Sequence, residues 1–352
     1  MTVPLQSGEA VTRPTFWQIS PVGKVLFYYL AAVALVVFGY GVYERITRYT
    51  RGSADPFDRL DDLSGRVVAA AASVGSNRPL FDRDIVGGLM HAFIVWGFLT
   101  LLIATTILGV DMDLYRPLTG DSFFVGDFYL SYSFVVDAMG LLFVTGLGVA
   151  IWRRYVARTD RLHGRHTGRE DDFLLWSLFA LGVGGYLTEG VRILGQGFPE
   201  FETVSFVGWF VADVLALASV SPETATALYP LTWWSHAVLA LAFVAWVPYA
   251  KPFHMLASFA NVVTADEDAG TRLPRVPEDL GPEEIGATDL DSFSWKQLLD
   301  QDACTKCGRC SSVCPAKASG RPLDPRDVIL DLKSYREAVD AGGETVEIVA
   351  DG

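Results

Sequence analysis

Apolar and polar positions alternate on a long period over the first 250 residues. Five apolar runs stand out: Val25–Tyr43, Ile85–Val110, Leu130–Trp152, Phe173–Leu194 and Leu231–Pro248. Each is close to the roughly 20 residues that an α-helix needs to cross a bilayer, so each predicts a membrane-spanning helix. The first follows a polar lead over residues 1–20 that carries Pro4 and Pro14 and lacks a small-x-small cleavage site. It therefore reads as an anchor and not as a removable signal peptide. A sixth apolar stretch, Phe206–Val220, is too short to span. It predicts a re-entrant or interfacial helix.

The polar segments between these runs differ in charge. Residues 44–83 carry Arg45, Arg48, Arg51, Arg59, Arg66, Arg78 and Arg83, and Arg153, Arg154, Arg158, Arg161, Arg165 and Arg169 follow the third run. Residues 111–129 hold one arginine, Arg116, and residues 195–230 contain neither Lys nor Arg. Positively charged loops stay on the cytoplasmic side. The alternation therefore predicts an outside N-terminus and a cytoplasmic segment after the fifth run.

That last segment is of another kind. Residues 263–292 are acidic and proline-punctuated, with Asp266-Glu267-Asp268, Glu278-Asp279, Glu283-Glu284, Pro274, Pro277 and Pro282. They predict a linker unable to bury a core. Short helices are expected over Ser294–Asp300 and Asp327–Ala341. Between them lie all four cysteines, Cys304, Cys307, Cys310 and Cys314, followed by Pro315. The spacing of two, two and three residues before Cys-Pro is that of a bacterial ferredoxin run binding a [4Fe–4S] cluster. A structural zinc site splits its ligands into two separated knuckles, and a disulfide needs an oxidising compartment. In two-cluster ferredoxins the fourth cysteine of a run serves the other cluster, and no second run is present here. Either Cys314 closes this cluster, or the complementary half is expected in a continuation of the chain or in a partner.

Composition sharpens this picture in two ways. An apolar share of 51% over 352 residues is high for a soluble protein. The formal charge of −13 belongs largely to the C-terminal part and argues against nucleic acid as a partner.

Five histidines complete the candidate chemistry. His163 and His166 lie in an arginine-rich loop and read as solvated. His91, His236 and His254 lie on or beside spans, where ionisable groups are costly and usually functional. His236 and His254 are 18 residues apart. On one continuous helix they would share a face, about 27 Å apart. A b-type haem takes axial ligands from facing helices, and His91 supplies a partner for His254. The alternative for a lone intramembrane histidine is a hydrogen bond to a neighbouring helix. Glu189 and Arg192, three apart on the fourth run, are either a self-compensated pair or a contact for a quinone or a haem propionate. Asp137 and Asp213 are weaker candidates of the same kind.

These segments together resemble the cytochrome b (gamma) subunit of membrane-bound nitrate reductase joined to an iron–sulfur domain of the heterodisulfide-reductase type. Pro248-Tyr249-Ala250-Lys251-Pro252-Phe253-His254 resembles the end of that family's last helix, and His236 matches its other ligand there. Leu89-Met90-His91-Ala92-Phe93 resembles the ligand segment of the second helix. The family's further ligand ten residues on is replaced by Leu101, which supports one inner haem between His91 and His254 and leaves His236 without an obvious partner.

The resemblance implies an all-α membrane protein: a five-helix cytochrome b-like bundle over residues 21–262, and a small cytoplasmic ferredoxin-type domain over 293–352. It further implies a multi-pass subunit of the cell membrane that relays electrons between menaquinone, haem b, the [4Fe–4S] centre and a soluble redox partner. That partner would be a heterodisulfide-reductase-type subunit or an electron-transfer flavoprotein. The competing reading is a non-catalytic membrane anchor that recruits a redox enzyme. A transporter is disfavoured, because no discontinuous helix pair or repeated half is visible.

Overall fold

A computed structural model describes residues 11–82, 84–272, 281, 287 and 289–343, so residues 273–280, 282–286 and 288 of the acidic linker lie outside the described residues. Among those described, the chain is helical and forms no strand. The principal helices are α1 (Pro21–Tyr49), α2 (Leu63–Ser76), α3 (Ile85–Gly109), α4 (Gly126–Ile151), α5 (Arg169–Gly195), α6 (Phe206–Leu217), α7 (Pro222–Trp246), α8 (His254–Val263), α9 (Trp295–Ala303), α10 (Arg309–Val313) and α11 (Pro325–Asp340). Five stretches of 27 to 35 residues, containing α1, α3, α4, α5 and α7, are long and apolar enough to cross a membrane. Each contains one of the five apolar runs. Large apolar side chains remain exposed along them, such as Val22 and Val36 on α1 and Phe134 on α4, as suits helices whose solvent is lipid. The short apolar stretch forms α6, only 12 residues long.

The chain divides into two compact units, residues 1–34, 80–152 and 175–243 in one, and 35–79, 153–174 and 244–352 in the other. In the first, α3 and α4 pack through glycine. A Cβ at Gly97 would lie 2.6 Å from Cβ of Phe143, and one at Gly146 would lie 2.9 Å from the Met90 carbonyl. Small residues allow such close approach between membrane helices, where apolar burial gives no driving force. Residues 11–20, within the polar lead, are tied down: Thr12 Oγ1 donates to the Phe124 carbonyl at 2.6 Å. Trp17 packs edge-on against Tyr229 beside a core of Val191, Ile193, Leu194, Ala212 and Ala225.

Asp137, buried on α4, accepts the N–H groups of Val207 (2.7 Å) and Gly208 (3.3 Å). It thereby satisfies donors that the first turn of α6 leaves open. Its neighbourhood explains why so short an apolar helix is held in place.

In the second unit, α9 begins with a reciprocal cap in which the Ser294 hydroxyl and the Gln297 side chain each bond the other's backbone. Helix α9 carries Asp302, which gathers cations from distant parts of the chain. Arg45 Nη1 (3.0 Å), Lys333 Nζ (3.2 Å) and Arg336 Nη2 (2.6 Å) reach Oδ1, and the Tyr49 hydroxyl donates to Oδ2 (2.6 Å). Burial alone would raise the Asp302 pKa, but Arg336, Lys333, Arg45 and Tyr49 outweigh it and hold the carboxyl well below the usual range. Arg45 also donates to the Pro248 carbonyl at 2.9 Å and stacks over Phe253.

The structure corrects the expected geometry of the fifth run. Helix α7 ends at Trp246, and two 3-10 turns, Val247–Tyr249 and Lys251–Phe253, precede α8. Between them Ala250 is extended, with φ −144° and ψ −172°. Pro248 and Pro252 each disfavour helical geometry in the residue before them and remove a backbone donor. His236 and His254 therefore do not share one helix, and the 18-residue register between them does not hold.

Candidate iron–sulfur site

The cysteine loop is shaped by its backbone. Helix α9 stops at Ala303, and Cys304 leaves it in extended geometry, with φ −69° and ψ 118°. Lys306 (φ 60°) and Gly308 (φ 69°) then take left-handed conformations, and α10 starts at Arg309. Glycine at 308 is required twice over. A Cβ there would lie 2.2 Å from the Arg161 carbonyl oxygen, and the positive φ disfavours any other residue. Arg161 holds the loop from the other direction as well, its Nη1 donating to the Cys307 carbonyl at 2.7 Å. Arg326 Nη1 donates in turn to the Arg161 carbonyl at 3.2 Å.

Beyond the loop, Asp324 caps α11 and accepts from the Ser311 hydroxyl (2.5 Å), the Arg326 N–H (3.0 Å) and the Lys317 ammonium. Burial opposes its ionisation, but these bonds outweigh burial and bring its pKa down to about 2.

None of the four cysteines forms a disulfide; Cys310 is exposed and Cys304, Cys307 and Cys314 are half-buried. Burial raises the Cys304 thiol foremost, a backbone bond from Lys306 works against that, and Cys307 and Cys310 lie near enough to raise it further. Among the described residues, no three His, Cys, Asp or Glu side chains are gathered closely enough to hold a single ion. The donor set is nevertheless all sulfur, on one loop turned by two left-handed residues, and this fits the chemistry of an iron–sulfur cluster. A cavity of about 230 Å³ opens beside Cys304 and is lined also by Glu170, His166, Lys251 and Lys306.

The histidines singled out by the sequence fall in both units. His254 begins α8, and its Nδ1 lies 2.7 Å from the Lys251 carbonyl. A carbonyl can only accept, so Nδ1 carries the proton, and in the neutral ring the lone pair resides on Nε2. Histidines that bind metal commonly use this arrangement. In the first unit, His91 is half-buried on α3. Nδ1 of His236 is buried with no hydrogen-bond partner, facing Gly184 and Gly185 of α5, where added Cβ atoms would lie 3.6 and 3.4 Å from the ring. His166 is not simply solvated: its Nε2 lies 3.0 Å from Asp331.

Arg192 is buried, and its principal partner is Glu202, not Glu189. Two bonds of 2.5 and 3.0 Å join Arg192 to Glu202, whereas Glu189 stands 3.7 Å away. The Tyr129 hydroxyl also donates to Glu202 at 2.7 Å. Sequence reasoning missed Glu202 because it lies on a different element, ten residues on. Asp302 and Glu170 were missed for the same reason: neither belongs to a motif, and only their distant partners mark them.

Comparison with known proteins bears on this loop directly. A 4Fe-4S binding domain matches residues 295–316, which include all four cysteines. The chain carries a 4Fe-4S binding domain. It is 30% identical over 343 residues to an EtfAB:quinone oxidoreductase of Syntrophomonas wolfei, covering 92% of this chain and 46% of that protein. It is 27% identical to a probable iron-sulfur-binding oxidoreductase FadF of Bacillus subtilis, covering 88% of this chain and 42% of that one. A probable membrane-anchored ferredoxin of Chromohalobacter salexigens is 34% identical over 128 residues, 36% of this chain and 18% of its own length. The chain thus spans less than half the length of each of these relatives. No solved structure matches it. The domain and the five long apolar helices together describe an iron–sulfur protein of the membrane.

Proposed function

We propose that this chain is the membrane electron-transfer part of a respiratory oxidoreductase, working between the quinone pool, a haem b and a cytoplasmic [4Fe–4S] centre that meets a soluble redox partner. The observation that carries the reading is the pairing, in one unit, of a four-thiol ferredoxin loop with His254, whose Nδ1–H is committed to the Lys251 carbonyl. When bound, the two cofactors would each accept and donate single electrons. Cys304, Cys307, Cys310 and Cys314 would hold the cluster, and His254 and His91 are the haem ligands that the sequence resemblance implies. His236, with its bare buried Nδ1, is the residue on which a second haem would depend. Glu189 remains the candidate quinone or propionate contact, because Arg192 is already engaged by Glu202.

The rest of the machinery is positional. Gly308 lets the loop approach Arg161, Arg161 fixes the Cys307 carbonyl, and Asp302 ties α9 to the cations of α1 and α11. The names of the two longest-matching relatives favour an oxidoreductase over an inert anchor, and the first favours a quinone and an electron-transfer flavoprotein as the exchange partners. The charge pattern of the loops supports a cytoplasmic cluster.

Reduction by a menaquinol analogue tests the reading. In purified chain, the quinol should reduce the haem, seen in its visible bands, and the His254→Ala variant should lose that response. A chain containing iron and sulfide but no haem, inert to quinol, would leave the anchor reading in its place.

A further inference from the structure

Helix α5 opens with Glu170, Asp171 and Asp172, where a helix N-terminus favours anions, and each carboxylate has its own task. Asp172 takes Arg154 Nε at 2.6 Å and the Tyr155 hydroxyl at 2.7 Å. Asp171 takes the Lys251 ammonium at 2.6 Å. Glu170 joins two segments far apart in the chain. Its Oε1 accepts the backbone N–H of Lys251, and its Oε2 lies 3.3 Å from the ammonium of Lys306.

Both lysines lead directly to candidate cofactor ligands. Lys306 sits within the Cys304–Cys307 turn in a left-handed conformation. The carbonyl of Lys251 accepts from Nδ1 of His254 at 2.7 Å. A chain of contacts therefore runs from the cysteine loop at Lys306 through Glu170 and Lys251 to His254, within one compact unit.

We propose that Glu170 is the residue that couples the two redox centres, positioning the cluster loop and the haem-ligand segment through one carboxylate. This rests on the reading of His254 as a haem ligand. The two oxygens of Glu170 act separately. Oε2 places a negative charge beside the cluster loop, and such a charge disfavours the more negative, reduced state of a centre. Oε1 fixes Lys251, whose carbonyl would make the His254 imidazole a stronger donor to a haem iron and so would favour the oxidised state. Asp171 clamps the same lysine by its side chain, so Lys251 is held by both its N–H and its ammonium.

Separate redox titrations of the full-length protein test this, with the haem followed by visible absorption and the cluster by EPR. Glu170→Ala removes both bonds and should raise both midpoints, each by at least threefold in the one-electron equilibrium, about 28 mV at 59 mV per tenfold. Glu170→Gln keeps an acceptor for the Lys251 N–H and removes the charge, so the cluster midpoint should rise by more than the haem midpoint. Asp172→Asn, one turn-neighbour away and outside the chain of bonds, should move neither. Wild-type protein without haem, by pyridine haemochrome, would overturn both this proposal and the reading beneath it. Haem present and lost in His254→Ala, with Glu170→Ala moving one centre alone or neither, would overturn the coupling only.

Discussion

Arg161 donates to the carbonyl of Cys307 at 2.7 Å from a position 146 residues earlier in the chain. The same residue presents its own carbonyl where a side chain at 308 would have to go. An arginine-rich loop and a cysteine loop thus shape one another.

Replacement of Gly308 tests that fit. Gly308→Ala meets both a 2.2 Å clash and a positive φ of 69°. Backbone strain of this kind costs about 1–3 kcal/mol, before the clash is counted. Iron and acid-labile sulfide per chain should fall severalfold, while Gly320→Ala, at a positive φ with open space around it, should retain the cluster. Full iron content in Gly308→Ala would show that the loop closes without this contact.

The four cysteines should not be equivalent. Cys304 and Cys307 lie on the turn between α9 and α10 and Cys310 in the first turn of α10, whereas Cys314 follows α10 and precedes a further short helix at Pro315. Ser substitution of Cys304, Cys307 or Cys310 should abolish the four-iron EPR signal, and Cys314→Ser should weaken it less. Equal loss from Cys307→Ser and Cys314→Ser would mean that all four thiols close a single site.

The resemblance to the cytochrome b subunit implies one low-spin haem per chain, with His91 and His254 as its ligands. Pyridine haemochrome against protein concentration should give a ratio near one, and His91→Ala should remove the signal. A ratio near two would bring His236 into use as a ligand and require a partner for it other than Leu101.

Asp324 gives the cap of α11 a pH dependence. Its pKa is about 2 in the folded protein, against about 3.9 in an unfolded chain. The folded state therefore binds the proton more weakly. The stabilisation is complete above the unfolded value, declines as pH falls from about 4 to about 2, and is absent below that. Amide exchange across residues 309–340 should accelerate over this window in wild type. Asp324→Asn should exchange faster at pH 7 and respond less to acid; an unchanged acid response would assign it to another group.

The five spans were legible in the sequence because lipid imposes a length and a composition on any helix that crosses it. The iron–sulfur loop was legible because its ligands are packed into eleven consecutive positions, Cys304 to Cys314. Both are local signals. The helix ends of the small domain also came within a few residues of those expected, since Ser294 and Asp324 cap them by contacts along the chain.

What the tertiary structure alone decided depends on residues distant in sequence. Periodicity carried one helix from His236 to His254, but Pro248 and Pro252 end it at Trp246 and set His254 at the head of a new one. Spacing paired Glu189 with Arg192, but the guanidinium takes the carboxylate that offers two bonds, and that is Glu202. Asp302 and Glu170 had no motif to mark them, because a buried carboxylate is defined by the cations and N–H groups that fold around it. Those partners, Arg45, Arg336, Lys251 and Lys306, lie between 34 and 257 residues away, and no pattern read along the chain connects them.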